Sequence, residues 1–136
     1  MEVTVMLCDA AQVSQGKLFV LGGGWNVAND HRQVPAALAI VVDVPWDKCN
    51  IEHNLKVELL DGDDQPVRFA EEKPVTITGR FEAGRPAGMP QGASVNAAMV
   101  LGGPPLSLDP GQRYEWCLSI DDEVMARAPF TTRRKR

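Results

Sequence analysis

A chain of 136 residues with 44% hydrophobic and 24% charged residues has the size and balance of one domain that buries its own core without staples. Its longest apolar run, residues 36–42, falls far short of the ~18 residues a membrane helix requires, so no membrane contact is expected. The net charge is −4, and without Arg133, Arg134, Lys135 and Arg136 the body holds 10 Lys and Arg against 18 Asp and Glu, a surface that disfavours general nucleic-acid binding.

In chain order, residues 3–8 put Val3, Val5 and Leu7 on one side and Thr4, Met6 and Cys8 on the other, the period of a strand. Nothing before them has the basic and apolar pattern of a secretory leader, so none is expected. Residues 9–16 read as a polar connection, and residues 17–21 as a second strand that Gly22-Gly23-Gly24 ends. Residues 36–44 form a third strand, apolar on both faces, which predicts a central position. The alternation breaks at Pro45, and residues 46–52 predict a short helical turn.

Leu55, Val57 and Leu59 mark a fourth strand, followed by the turn-rich segment Asp61-Gly62-Asp63-Asp64-Gln65-Pro66 and a short return over 67–69. Strands over 75–82 and 95–101 are separated by a Pro/Gly loop, 84–92, and a second such loop spans 102–111. The clearest element is last: Tyr114, Trp116, Leu118 and Ile120 alternate with Arg113, Glu115, Cys117 and Ser119, and Asp121-Asp122 then turns the chain back. Seven to nine short strands without a long amphipathic helix predict an all-β fold, an antiparallel β-sandwich of immunoglobulin-like or C2-like arrangement. A closed barrel is the alternative. One domain is expected over 1–132, with a basic tail at 133–136.

Chemistry is mostly absent from the pattern. Gly22-Gly23-Gly24-Trp25 lacks the Lys-Ser/Thr of a phosphate loop and the helix of a dinucleotide site, so its glycines read as a turn. Asp61, Asp63 and Glu72 stand at the first, third and twelfth places of a calcium loop, but Pro66 stands where a glycine is needed. A calcium site would instead require Asp61, Asp63 and Asp64 to meet Asp121 and Asp122. His31 and His53 have no second ligand at metal spacing, and Cys49 four residues before His53 has no third group to orient a base. Three cysteines, Cys8, Cys49 and Cys117, are an odd, unpatterned set that reads as reduced thiols in a cytoplasmic protein. No cofactor and no catalytic residue is expected. Trp25 and Trp46 lie at loop margins, where a Trp caps the core or anchors a partner.

The motifs Val3-Thr4-Val5-Met6-Leu7-Cys8-Asp9-Ala10-Ala11, Lys17-Leu18-Phe19-Val20-Leu21-Gly22-Gly23-Gly24-Trp25, Val44-Pro45-Trp46, Glu58-Leu59-Leu60-Asp61, Gly84-Arg85-Pro86 and Tyr114-Glu115-Trp116 together resemble a family of small actinobacterial proteins. That family, also seen in bacteriophages of those bacteria, is known as a domain of unknown function. The likeness spans nearly the whole chain except the basic tail. It implies a single-domain β-sandwich and no activity, cofactor or catalytic residue.

The expected role is therefore a non-enzymatic binding or assembly module working through a protein partner or self-association, in one version a phage virion accessory. The expected contact residues are Trp25, Asn26, His31, Arg85 and Met89, on the loops 26–35 and 84–92. The tail Arg133, Arg134, Lys135 and Arg136 reads first as a solvated terminus, and in the phage version as a segment that inserts into an acidic neighbour, with nucleic acid the other anionic partner open to it. The alternatives are a calcium- or small-ligand-binding module using the acidic turns, and an enzyme of unrecognised type.

Overall fold

Ten strands and one short turn of 3₁₀ helix make up the computed structural model, which describes residues 1–69 and 73–134. The strands are β1 (Glu2–Cys8), β2 (Ala10–Ser14), β3 (Lys17–Leu21), β4 (Val27–Ala28), β5 (Val34–Val44), β6 (His53–Asp61), β7 (Thr76–Phe81), β8 (Val95–Leu106), β9 (Arg113–Ile120) and β10 (Glu123–Thr132), with the 3₁₀ turn at Trp46–Lys48. They form a three-stranded sheet ordered β1-β5-β8, a five-stranded sheet ordered β4-β10-β9-β6-β7, and a two-stranded ribbon, β2-β3. All ladders are antiparallel except the two-residue pairing of β4 with β10.

The two larger sheets are the layers of an all-β sandwich. β1 lies by β10 and β8 by β7. Between them sits one core, in which the even residues of β5 from Val34 to Val44 meet Leu55, Val57 and Leu59 of β6 and Tyr114, Trp116, Leu118 and Ile120 of β9. Trp116 is 1% exposed and the largest of the fully buried side chains. Burying a side chain of this class stabilises the fold by roughly 1.5–3 kcal/mol, which makes β9 the anchor of its sheet. β5 is indeed central, flanked by β1 and β8.

Four segments depart from the sequence reading. Residues 10–14 are a strand, paired Ala10↔Leu21 through Ser14↔Lys17, because Gln15 (φ 52) and Gly16 (φ 72) close a two-residue turn with both residues left-handed. β8 runs on through Gly102-Gly103-Pro104-Pro105 to Leu106. Its ladder to β5 shifts register between Val34 and Ala36, and its prolines sit on an edge strand, where a missing N–H costs no ladder bond. The helical turn spans only 46–48 of the expected 46–52. Around 67–69 two isolated bridges, Leu60↔Pro66 and Arg68↔Pro74, replace a strand.

Candidate functional site

The two outer faces of the sandwich differ in chemistry. On the five-stranded sheet the outward rows read Thr76-Glu58-Cys117-Arg127, Thr78-Lys56-Ser119-Val124 and Leu60-Glu115-Pro129, each with a charged side chain among its members, and the Arg127 guanidinium donates to Glu115. That is the usual state of an antiparallel sheet with one wet side. On the three-stranded sheet the outward rows read Thr4-Val41-Ala98, Met6-Ala39-Val100 and Cys8-Ala37-Gly102, with no charged side chain in them. Acidic residues appear only at the next row, Glu2-Asp43-Asn96.

One end of this apolar face is roofed by the ribbon, which lies against β5 and β8. Gly23 makes the close approach: Val20 and Met6 crowd its Cα so tightly that a Cβ would fall 2.6 Å from one and 2.7 Å from the other. Cys8 and Ala39 are buried beneath, whereas Val41, Ala98 and Val100 are half-buried and Met6 is 42% exposed. The ribbon's far side carries Phe19 at 56% and Leu21 at 71% exposure, beside a shallow apolar cleft they share with Ala10, Ala11, Gln12 and Ser14.

A second constellation lies at the start of β6. The His53 ring is 3% exposed; its Nδ1 stands 2.7 Å from Asp121 Oδ2 and its Nε2 2.9 Å from the Lys48 carbonyl, while the ring packs on Phe81 at 5.3 Å. Asp121 Oδ1 accepts the Asn54 N–H at 2.9 Å, and the Asp121 N–H donates back to the Asn54 carbonyl. Burial pulls the His53 pKa down, but the hydrogen bonds to Asp121 and to the Lys48 carbonyl outweigh it and raise the net value despite the Lys48 charge. Asp121, held by His53 and the Asn54 N–H, is lowered. The His–Asp pair leaves no free ring nitrogen. The Cys49 thiol donates to the carbonyls of Pro45 at 3.4 Å and Val44 at 3.9 Å, so the expected Cys49–His53 spacing does not become a nucleophile–base pair.

The residues expected at partner contacts fall in separate places. Trp25 is half-buried and packs edge-on against Phe130 at 5.9 Å, which makes it a cap on the core. Asn26 is exposed, and its carbonyl accepts the Thr131 N–H. His31 is a staple: Nδ1 donates to the Leu108 carbonyl at 2.8 Å, and the Leu108 N–H donates to the His31 carbonyl. Arg85 stacks on the Trp46 ring at 4.3 Å and donates to the Trp46 carbonyl, with half-buried Met89 further along the same loop. These side chains do not assemble into one surface.

The acidic turns do not converge. Asp61 pairs with Tyr114 at one end of β9 and Leu55 with Ile120 at the other, which puts the 61–64 and 121–122 turns about 20 Å apart by strand rise. Asp61 Oδ1 accepts the N–H groups of Asp63 and Gln65, the work of a turn-forming aspartate. Among the described residues no three His, Cys, Asp or Glu side chains come together as a metal site would need. In the tail, Arg133 reaches Asn29 Oδ1 at 3.3 Å and Arg134 lies over Gly111; Lys135 and Arg136 are outside the described residues.

Sequence reasoning missed Phe19, Leu21 and the outward rows. The available signal is that β5 and β8 are apolar on both faces, which in β5 predicts a strand in the middle of a sheet. The same pattern on the edge strand β8 points to an uncovered face. A family model, described as a family of unknown function (DUF6941), matches residues 3–133. No curated protein and no solved structure matches the chain.

Proposed function

Because the chain belongs to this family of unknown function, which brings no activity with it, we propose its role from its surface: a non-enzymatic module that binds a protein partner through the β2-β3 ribbon and the apolar outer face of the three-stranded sheet. The observation that carries the reading is the contrast between the two exteriors. A sandwich that meets water on both sides keeps both outer faces polar, whereas this one leaves Met6, Phe19 and Leu21 open beside rows without charge. Aromatic and aliphatic anchors of this kind supply the buried centre of protein interfaces.

The partner surface thus moves from the loops 26–35 and 84–92 to the ribbon. One specific form of this role is an accessory on a phage particle, a place that suits a small sandwich module and a family, resembled by this chain, that is also seen in bacteriophages. The test is photo-crosslinking from position 19 in living host cells, with the same probe at position 58 on the charged face as control. A discrete adduct from position 19 alone, to another protein or to a second copy, is the expected result. No adduct from position 19, or the same adducts from both positions, overturns the proposal.

A further inference from the structure

We propose that His53 is a doubly protonated pin that fastens the 46–50 turn to the Asp121-Asp122 hairpin, and that loss of its proton as pH rises releases this end of the sandwich. The geometry requires both ring protons. Nδ1 faces a carboxylate oxygen at 2.7 Å and Nε2 faces a carbonyl oxygen at 2.9 Å, and neither of those atoms can donate. A neutral imidazole has one N–H, so it would leave one nitrogen lone pair aimed at an oxygen lone pair, with the ring itself buried and the Asp121 carboxylate half exposed beside it.

Three separate elements meet at the ring. His53 opens β6, Lys48 closes the 3₁₀ turn, and Asp121 begins the β9–β10 hairpin, 68 residues away in sequence. Phe81 of β7 covers the ring and is uncharged. The charges that act on His53 are Asp121, which favours the imidazolium, and Lys48, which opposes it. Glu52 and Arg80, on the flanking chain and on β7, pair with each other at 3.4 Å. The turn that the pin holds has further ties to the 82–94 loop, through the Asn50 N–H on the Ala83 carbonyl and Arg85 on the Trp46 carbonyl. Release at His53 therefore loosens a connected patch and not one side chain.

The sign follows from the direction of the two shifts. A His whose folded pKa is raised stabilises the native state fully below its unfolded value of 6.5 and loses that contribution as pH rises through the folded value. Asp121, lowered from 3.8, stabilises above its unfolded value and loses the contribution as pH falls through the folded one. The pin is closed between these limits and opens on the alkaline side first.

The experiment is a pH series on the full chain that combines ¹⁵N–¹H correlation of the two histidine rings with hydrogen exchange at the Cys49 and Asn50 amides. Exchange is corrected for its intrinsic pH dependence and referenced to the core amide of Leu59. The expected result has both His53 nitrogens protonated below the midpoint, a midpoint above that of an unfolded-chain histidine, and about a tenfold loss of protection at Asn50 through the same midpoint, the scale set by one hydrogen bond left unmade. Asp121→Asn, which keeps the shape and removes the charge, lowers the midpoint; Asp122→Asn, beside it, leaves the midpoint in place. A midpoint no higher than that of an unfolded-chain histidine, a midpoint unmoved by Asp121→Asn, or titration without any change in exchange at Asn50 overturns the proposal.

Discussion

Two polar side chains do structural work on the 108–112 loop out of proportion to their size. The Tyr114 hydroxyl accepts the Asp109 N–H at 3.0 Å, five residues upstream, as in the tyrosine corners of other β-sandwiches. Thr132, 4% exposed, donates from Oγ1 to the Asp109 carbonyl at 2.6 Å and accepts the Gln112 N–H at 3.1 Å. Tyr114→Phe is expected to cost about 1 kcal/mol, and Thr132→Val about 1–3 kcal/mol because it strands a buried donor and acceptor, both read by urea denaturation with an unchanged m-value. Trp25 offers a sharper discrimination. As a cap packed on Phe130, it is expected to cost about 2–3 kcal/mol on change to alanine, whereas a Trp held out for a partner would leave the urea midpoint unmoved.

At the scale of elements, turn chemistry decides what the sequence could reveal. The β9–β10 hairpin was legible because Asp121 (φ 49) and Asp122 (φ 70) are residues that tolerate the left-handed region, set between two alternating runs. The β2–β3 hairpin has the same turn, but Gln15 is a poor signal for it, and the run Ala10-Ala11-Gln12-Val13-Ser14 shows no clear alternation. Gln15→Asn should therefore stabilise the protein by about 0.5–1 kcal/mol, seen as a higher midpoint in thermal or urea unfolding. The His53–Asp121 pair was invisible for a different reason: no local rule links residues 68 apart, and only the registers Leu55↔Ile120 and Lys56↔Ser119 bring them together. The ribbon's seat on the sheet is testable at Gly23. Alanine there would collide with Val20 and Met6, and Gly23→Ala is expected to cost about 1–3 kcal/mol and to deprotect the ribbon amides ahead of the core.

For the whole molecule, the fold class and the buried face of β9 could be read in advance because alternation is a property of each strand taken alone. Which exterior is apolar could not, because it depends on which strands lie side by side. All three thiols, Cys8, Cys49 and Cys117, are free and buried, and burial pushes those of Cys8 and Cys117 up. Ellman's reagent at pH 8 is thus expected to titrate none of them quickly in buffer and all three in denaturing urea; rapid native reaction of any one would show that its cover opens. The registers carry a consequence for kinetics. The β2–β3 and β9–β10 hairpins close locally, but Cys8↔Ala37, Val44↔Val95 and Leu55↔Ile120 each join distant parts of the chain. Loop-closure entropy has to be met before those ladders return any stabilisation, so the chain should fold on the millisecond-to-second scale of other non-local β-proteins, with the two hairpins formed before the layers meet.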